Sequence, residues 1–282
     1  MKILVTGGAG MLGHDLSSVL TDAGHEVSTA ARSDLDVRSL EACHAAVGGH
    51  DAVINAAAWT NVDGAEAAEG EAFAVNATGA ANVARACAEA GATLVHVSTD
   101  FVFSGDATVP YAEDAGLAPC SAYGRTKAAG EWAVQAYAPR SYVVRTAWLY
   151  GEHGPNFVKT MGRLAGERET LSVVDDQRGQ PTWTWDLAEA IGRLLGTEAP
   201  FGIYHGTAAG ETTKHGFTQE IFRLLGHDPS RVLPTTSDAF PLPAVRPAYS
   251  VLGHDAWRRA GLDALPDWRE SIRRSVKAVV GS

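Results

Sequence analysis

Tyr123 and Lys127 are the residues of this sequence whose types and spacing most directly suggest chemistry. The stretch 121–137 contains few helix-breaking residues and predicts a helix, on which a spacing of four places the two side chains on one face. A phenol has a pKa of about 10 and is a poor acid or base at neutral pH. A neighbouring cation lowers that pKa, which gives a proton donor or acceptor for an alcohol–ketone pair. An ordinary pair on a helix surface would show the same spacing.

Thr99 is a third candidate for this chemistry. The apolar run ATLVHV (92–97) predicts a buried strand that presents Ser98, Thr99 and Asp100 at its carboxyl end. A hydroxyl such as that of Thr99 can hydrogen-bond the reacting oxygen. With Tyr123 and Lys127 it would serve a carbonyl reductase, provided that another part of the chain binds a hydride donor.

The N-terminal strand and the turn after it predict that binding site. Residues 2–6 are apolar, and the pattern T-G-x-x-G-x-x-G then places Gly7, Gly10 and Gly13 before a helix. Such glycines let the backbone turn tightly and approach a pyrophosphate, whose charge meets the free N–H groups at the helix start. A plain strand–helix turn is the alternative interpretation.

The end of the second predicted strand (25–30) bears on the choice of cofactor. Sites that prefer NAD usually carry an acid there, which accepts a hydrogen bond from the ribose 2′-hydroxyl. Here that acid is missing and Arg32 is present, which suits a 2′-phosphate, whereas Asp34 and Asp36 follow later along the chain. We therefore predict NADPH as the cofactor, with NADH also accepted. The alternative is that Arg32 is a solvated loop cation, which would give the same sequence pattern.

Three small residues, Ala56, Ala57 and Ala58, follow the third predicted strand, 51–55. Small side chains at the carboxyl end of a strand let a cofactor lie against the backbone. Close packing within a loop would give the same pattern.

The order of the predicted elements indicates the fold. Strands at 2–6, 25–30 and 51–55, a fourth that ends at Ser98 and a fifth over 141–151 alternate with helices, one of them an alanine-rich helix over 66–90. This alternation predicts an α/β fold with a doubly wound, parallel, Rossmann-type sheet and a site at the strand carboxyl ends. We assign 1–150 to an NAD(P)-binding domain. Residues 151–282 form a smaller substrate lobe, partly interleaved with it.

Composition excludes several other classes of function. The chain has 282 residues, of which 45% are hydrophobic, and a net charge of −10 that argues against nucleic acid as the main partner. No apolar run reaches the roughly 18 residues that span a bilayer, and we expect no signal peptide, because the first residues lead straight into a strand. Cys43, Cys87 and Cys120 lack metal-site spacing. We expect a cytoplasmic protein that binds neither a membrane nor a metal.

Several segments together carry a resemblance to a known family. They are TGGAGMLG, NAAAWTNVD, STDFVFSG, PYAEDAGLAPCSAYGRTKAAGE, VRTAWLYG, NFVKTM, DDQRGQPT and RPAYSVL. In this order they resemble the extended short-chain dehydrogenase/reductases and, more narrowly, the dTDP-4-dehydrorhamnose reductase family over essentially the whole chain. The resemblance implies reduction of the C4 ketone of a dTDP-linked 4-keto-6-deoxy sugar, dTDP-4-dehydro-L-rhamnose, to dTDP-L-rhamnose with NADPH or NADH.

The resemblance also implies roles for individual residues. Tyr123 would donate the proton, Lys127 would assist it and bind the cofactor ribose, and Thr99 would hydrogen-bond the sugar oxygen. Besides Tyr123 and Lys127, the cofactor-binding positions would be Gly7, Gly10, Met11, Leu12, Gly13, Arg32, Asp36, Val37, Ala56, Ala57, Ala58, Thr60 and Val97. The substrate-binding positions would be Thr99, Asp100, Trp148, Asn156 and Arg246, the last of them either a ligand of the substrate diphosphate or a buried helix-capping residue.

One departure from the family concerns assembly. Certain members form a magnesium-bridged homodimer through acidic side chains. Asp15 stands at one of those positions, but the later counterparts are Trp185 and Arg269. A homodimer is compatible with the sequence, but the metal bridge is not expected.

Particular residues distinguish this chain from related classes of enzyme. Nucleotide-sugar 4,6-dehydratases follow the catalytic Thr with two acids, whereas here Phe101 follows Asp100. Epimerases usually carry the acid that is missing after the second strand. A sister reductase of an antibiotic pathway, such as a dTDP-dihydrostreptose synthase, remains an alternative. So does a non-catalytic regulatory subunit of methionine adenosyltransferase, although retention of Thr99, Tyr123 and Lys127 favours an enzyme.

Overall fold

A computed structural model describes residues 1–281 and is built on one central parallel sheet. Its six strands run in the order β10-β5-β4-β3-β1-β2. They are β1 (Lys2–Thr6), β2 (Glu26–Ala30), β3 (Ala52–Asn55), β4 (Thr93–Thr99), β5 (Ser141–Thr146) and β10 (Gly202–His205). The predicted doubly wound parallel sheet is confirmed, and the switch in strand order between β1 and β3 places a cleft at the carboxyl ends.

Helices cover both faces of this sheet. They are α1 (Met11–Asp22), α2 (Leu40–Val47), α3 (Val62–Ala67), α4 (Glu69–Phe73), α5 (Ala80–Ala90), α6 (Ala122–Tyr137), α7 (Phe157–Glu167), α8 (Thr184–Leu195), α9 (Lys214–Leu224), α10 (Asp255–Arg259) and α11 (Trp268–Gly281). Within β1, Ile3 packs on the face covered by α1 and α8, whereas Leu4 packs on the face covered by α2 and α5. The sequence of a strand that is buried on both faces is a continuous apolar run, as in β1.

Short strands complete the structure away from the central sheet. They are β6 (Leu149–Tyr150), β7 (Leu171–Val174), β8 (Arg178–Gly179), β9 (Thr182–Trp183), β11 (Thr212–Thr213) and β12 (Val232–Thr235). They pair as β6 with β9, β7 with β12 and β8 with β11.

The chain after residue 150 contributes to two apolar regions. Strand β10 pairs with β5 in the central sheet, and α8 packs on α1. Helices α7, α9 and α11 enclose a separate cluster that includes Phe217, Trp268 and Ile272. The division into domains at residue 150 stays a prediction. No helix within residues 1–281 combines the length and the apolar character that a membrane span requires.

The helix predicted over 66–90 is wrong as a single element. Ala68 leaves the helical conformation at φ −135° and ψ 43°, and a π-helical turn, Ala74–Gly79, separates α4 from α5. That turn carries Asn76, whose Oδ1 accepts from the Trp59 N–H at 2.8 Å and whose Nδ2 donates to the Trp59 carbonyl at 3.1 Å. The interruption thus holds the loop after β3 in place, in keeping with the frequent occurrence of π turns at functional sites.

The single strand predicted over 141–151 is also wrong, because the chain breaks between β5 and β6. Trp148 has φ 46°, in a region that non-glycine residues seldom occupy. A Cβ atom at Gly179 would lie 2.6 Å from Cε2 of the Trp148 indole, so only glycine leaves room for the ring. The break turns Trp148 toward the cleft.

Candidate active site

A cavity of about 790 Å³ lies at the carboxyl ends of the central strands. Its wall brings together the glycine turn, the loop after β3 and the end of β4 with Tyr123 and Lys127 of α6. Ligand sites in open α/β sheets lie in this crevice, at the switch in strand order. The candidates for chemistry and for cofactor binding therefore share one cavity.

The glycine turn has the geometry that a pyrophosphate site requires. Gly7 has φ 70°, and a Cβ there would lie 2.8 Å from the Ala56 backbone. A Cβ at Gly13 would lie 2.5 Å from the Gly7 carbonyl oxygen. Gly10 is the N-cap of α1 and supplies no side-chain cap, so the first N–H groups of the helix keep their hydrogen-bonding capacity for an anion.

Two arginines lie at the end of the cavity where the turn meets the loop after β2. Arg32 is exposed and lines the wall, as predicted for a 2′-phosphate ligand. Asp36 instead forms an ion pair with Arg38, Nε to Oδ1 at 2.8 Å, and this hydrogen bonding lowers the pKa of Asp36 to about 2. Arg38 lines the cavity too, and it was missed because nothing in its local sequence sets it apart.

The remaining predicted cofactor positions also line the cavity. They are Gly7, Gly10, Met11, Leu12, Gly13, Asp36, Val37, Ala56, Ala57, Ala58, Thr60 and Val97. Trp59 lies among them, and the Asn76 side chain holds its backbone as described above.

Tyr123, Thr99 and Lys127 meet in the buried part of the cavity. Tyr123 is 9% exposed and lies beside Thr99, whose Oγ1 donates to Asp100 Oδ1 at 3.0 Å. Lys127 is 2% exposed, and its Nζ donates to the Val97 carbonyl at 2.7 Å. The predicted helix over 121–137 is confirmed as α6 to within one residue, so the spacing of four does place both side chains on the cavity face.

The expected lowering of the Tyr123 pKa is wrong for this structure. Burial, and to a smaller extent the negative charge of Asp100, raise the pKa of Tyr123 to about 12, and only the neighbouring Thr99 hydroxyl opposes them. Burial also lowers the pKa of Lys127 to about 8, and Glu131 opposes that change. The phenol is therefore protonated at neutral pH, which is the state that a proton donor needs.

Two of the predicted substrate positions, Asp100 and Trp148, line the cavity beside Thr99. The substrate role of Asn156 stays a prediction. Its Oδ1 caps α7 by accepting from the Lys159 N–H at 3.1 Å, and its Nδ2 donates to the Gly151 carbonyl at 2.8 Å. An asparagine at this position satisfies backbone groups at the helix start.

Arg246 caps no helix carbonyls and forms an ion pair. Its Nη2 donates to Asp63 Oδ2 at 2.6 Å and its Nη1 donates to the Ala244 carbonyl at 3.0 Å. The guanidinium lies 6.0 Å from the centre of the Phe101 ring, and Phe101 belongs to the cavity wall. Arg246 is thus next to the wall without lining the cavity, and a substrate phosphate would have to compete with Asp63 for it.

Comparison with known proteins decides the family. Residues 1–280 match the family described as RmlD substrate binding domain. The chain belongs to this family. It is 49% identical over 285 residues to a dTDP-4-dehydrorhamnose reductase of Streptomyces griseus, covering 99% of this chain and 94% of that protein. It is 48% identical to a dTDP-4-keto-6-deoxy-D-glucose reductase of Streptomyces niveus, covering 96% and 95%.

Solved structures in the family agree with the fold. The dTDP-4-dehydrorhamnose reductase of Bacillus anthracis, crystallised in complex with NADP, aligns with a TM-score of 0.94 at 38% identity. The alignment covers 97% of this chain and 98% of that one. The family and the oxidoreductase class predicted from the motifs are confirmed.

The environments of Asp15, Trp185 and Arg269 bear on the metal bridge that certain family members form. The Asp15 side chain is 5% exposed, and burial raises its pKa, with the neighbouring Thr184 hydroxyl opposing the change. The indole N–H of Trp185 donates to Glu189, and the Arg269 guanidinium stacks on Trp268. In the part of the chain that the structure describes, no group of three or more His, Cys, Asp or Glu side chains is arranged to hold a metal.

Lys214 is a residue of the site that sequence reasoning missed. It begins α9, and its Nζ lies 3.5 Å from the centre of the Trp148 ring and 4.9 Å from that of Phe157. Burial lowers its pKa to about 7. Only the folded chain brings this lysine to Trp148, so no local pattern could have revealed it.

Proposed function

We propose that this chain is an NADPH-dependent reductase of the C4 ketone of a dTDP-4-keto-6-deoxy-L-hexose. The observation that carries the proposal is the meeting of Tyr123, Thr99 and Lys127 in the same cavity as the glycine turn. A hydride-donor site and a buried proton donor at one place suit carbonyl reduction. We expect the enzyme in the cytoplasm, and a homodimer stays a prediction.

The residues of the chain divide the work of this reaction. NADPH supplies the hydride when bound. The N–H groups at the start of α1 hold its pyrophosphate, and Lys127 binds its ribose. Thr99 hydrogen-bonds the ketone oxygen, and Tyr123 donates its proton as negative charge develops there. The Val97 carbonyl accepts from Lys127 Nζ, which fixes the ammonium at the cavity wall, where it would bind the ribose.

NADPH is the cofactor that the ribose end of the cavity favours. Arg32 and Arg38 present two guanidinium groups there, and Asp36 is engaged by Arg38 rather than free for a ribose hydroxyl. The NADP bound to the Bacillus anthracis relative is consistent with this assignment.

We take dTDP-4-dehydro-L-rhamnose as the substrate, converted to dTDP-L-rhamnose. The name of the Streptomyces griseus relative supports this choice, while the Streptomyces niveus relative is named for a 4-keto-6-deoxy-D-glucose substrate. That second name supports a sister dTDP-deoxysugar reductase as the alternative. The intact Tyr123, Thr99 and Lys127 arrangement speaks against a purely regulatory subunit.

A panel of dTDP-4-keto sugars tests the proposal. We expect purified protein to oxidise NADPH with at least one member, with the highest kcat/KM for dTDP-4-dehydro-L-rhamnose and an NMR spectrum of the product that matches dTDP-L-rhamnose. A higher kcat/KM for another sugar would assign the chain to a sister reductase. No NADPH oxidation with any member would contradict the proposal.

Replacing Arg32 with Ala tests the choice of cofactor. We expect KM for NADPH to rise about 10-fold, because a charge-assisted hydrogen bond to the 2′-phosphate is lost, while KM for NADH changes little. Arg85→Ala is the matched control, since that guanidinium lies over the Tyr137 ring and outside the cavity wall, and it should leave the ratio of the two KM values unchanged. Equal losses with both cofactors in Arg32→Ala would show that Arg32 does not read the 2′-phosphate.

Replacing Arg246 with Lys tests the proposed diphosphate contact. A lysine cannot reproduce the planar fork of arginine, so we expect KM for the dTDP-sugar to rise several-fold with NADPH binding intact. Asp63→Asn is the paired variant: it releases Arg246 from its ion pair and should leave dTDP affinity unchanged or tighter. Titration with dTDP alone measures both, and unchanged affinity in Arg246→Lys would leave Arg246 as a clamp for Asp63.

A further inference from the structure

The Trp148 indole lines the same cavity as Thr99 and Asp100, in a backbone conformation that needs support. Its φ of 46° is one that a bulky residue keeps only where surrounding contacts fix it. The Thr182 N–H donates to the Trp148 carbonyl at 3.3 Å and anchors the backbone. The indole can still rotate about its side-chain bonds, so its place in the wall depends on the groups that touch the ring.

One short pair of strands supplies two of those contacts. Strand β11 pairs with β8, with Thr212 opposite Gly179, and α9 follows β11 directly and begins at Lys214. A Cβ at Gly179 would lie 2.6 Å from Cε2 of the indole, so the β8 backbone packs directly on the ring. Lys214 places its Nζ 3.5 Å from the centre of the same ring. Both contacts reach the indole from outside the cavity wall, to which neither Gly179 nor Lys214 belongs.

The start of α9 and a second aromatic ring fix Lys214 in turn. Thr213 caps this helix, and its Oγ1 donates to Asp175 Oδ1 at 2.5 Å. The Phe157 ring, which stacks on Phe217 of α9, has its centre 4.9 Å from Lys214 Nζ. Among the side chains of residues 1–281, no carboxylate forms a salt bridge with this ammonium. Its close contacts are therefore the faces of aromatic rings, whose negative quadrupole attracts a cation.

We infer that Lys214 is a positioning residue that holds the Trp148 indole in the cavity wall and so determines how tightly the sugar part of the substrate binds. This inference rests on the proposed function, in which Trp148 packs against the sugar. With the ammonium in place, the indole keeps its orientation in the empty site. A sugar then meets a preformed surface, and none of its binding free energy is lost in ordering the ring.

Replacing Lys214 with Met removes the charge and keeps a flexible side chain of similar length. Assays at about pH 6 keep the wild-type ammonium protonated, since burial lowers its pKa to about 7. We expect KM for the dTDP-sugar to rise about 10-fold and kcat to fall less, with KM for NADPH unchanged, because the lost contact orders the sugar surface. Lys214→Arg should restore most of the affinity, because a guanidinium also binds ring faces. An unchanged KM for the sugar in Lys214→Met would overturn the inference.

Arg269→Met is the matched control for the loss of charge. The Arg269 guanidinium lies 4.4 Å from the centre of the Trp268 ring, and neither residue lines the cavity. This variant removes one cation from one indole, as Lys214→Met does, and KM for the sugar should stay at the wild-type value. An equal rise of KM in both variants would show that net charge, rather than the contact with Trp148, determines sugar affinity.

A double variant separates positioning from direct contact with the substrate. If Lys214 acts through the indole, Lys214→Met should raise KM by less than about 2-fold when Trp148 is already replaced by Leu. A full additional rise would make Lys214 a direct ligand and contradict the inference. Titration with dTDP alone gives a second decision. Its affinity should be equal in the wild type and Lys214→Met, and a weaker affinity in the variant would assign Lys214 to the diphosphate instead.

NMR of the protein without ligands separates this inference from the proposed function. The indole N–H signal of Trp148 is identified by its absence from the spectrum of Trp148→Leu. We expect one sharp signal in the wild type and in Lys214→Arg, and a broadened or divided signal in Lys214→Met, where the ring exchanges between orientations. An equally sharp, single signal in Lys214→Met would refute the inference, even in a protein that reduces no sugar of the panel. A broadened signal in such a protein would contradict the proposed function alone.

Discussion

Replacing Tyr123 with Phe should lower kcat by about 100-fold or more, the usual scale for general acid catalysis. The phenol is buried and protonated, and it contacts Thr99, so its removal takes away the group placed to protonate the ketone oxygen. KM for the sugar should change less, since that proton is transferred only as the transition state forms.

Cofactor binding supplies the control for this variant. The phenylalanine ring preserves the shape of the cavity wall and its edge contact with Phe101, whose ring centre lies 5.6 Å from that of Tyr123. NADPH affinity, followed by the fluorescence of the bound cofactor, should therefore stay close to that of the wild type. Turnover near the normal value would remove Tyr123 from the role of proton donor.

Replacing Glu131 with Gln should destabilise the fold by about 3–5 kcal/mol, the range expected when one partner of a buried ion pair is removed. Glu131 is 0% exposed and Arg145 is 1% exposed, and Arg145 Nη2 donates to Glu131 Oε2 at 2.8 Å. Ser98 also donates to Glu131 Oε1, at 2.5 Å. With glutamine, the Arg145 charge remains in the interior without its counter-ion.

Urea unfolding measures this change, and two variants give it a scale. Glu131→Leu combined with Arg145→Met removes both charges and should cost less than Glu131→Gln alone, because no uncompensated charge stays buried. Glu167→Gln removes a partner from the exposed Arg163–Glu167 pair and should cost less than about 1 kcal/mol. A Glu131→Gln protein as stable as the wild type would contradict the claim that Glu131 compensates the buried charge of Arg145.

Glu131 also shows what helical spacing can and cannot predict. It follows Lys127 by four residues, as Lys127 follows Tyr123, so the sequence places all three on one face of α6. The spacing could not reveal how deeply these side chains are buried. Burial reverses the expected shift of the Tyr123 pKa and lowers that of Lys127, and burial depends on the strands packed beneath the helix.

The central sheet and the glycine turn could be predicted because their signals are local. Apolar strands alternate with helices, Gly7 and Gly10 lie between β1 and α1, and Gly13 lies in the first turn of α1. The interruption at Ala74–Gly79 could not be predicted, because an alanine-rich run favours a continuous helix and Asn76 gains its partners only in the folded state. Tertiary contacts override helix propensity there.

The substrate end of the site was harder to predict for a related reason. Asn156 and Arg246 were chosen by position in the motifs, yet one caps a helix and the other pairs with Asp63. Lys214 reaches Trp148 only through the packing of α9, and Trp148 faces the cleft through a backbone conformation that no propensity favours. Polar residues from distant segments come into contact only in the folded chain. No local sequence pattern therefore identifies these contacts.

Transfer of deuterium from the cofactor tests the central claim most directly. Wild-type protein is supplied with NADPH that carries deuterium at the transferable C4 position of the nicotinamide, together with dTDP-4-dehydro-L-rhamnose, and the product is examined by NMR and mass spectrometry. The account predicts dTDP-L-rhamnose with one deuterium on C4 of the sugar. Unlabelled product, label at another carbon, or recovery of unchanged keto sugar with the labelled cofactor would contradict it.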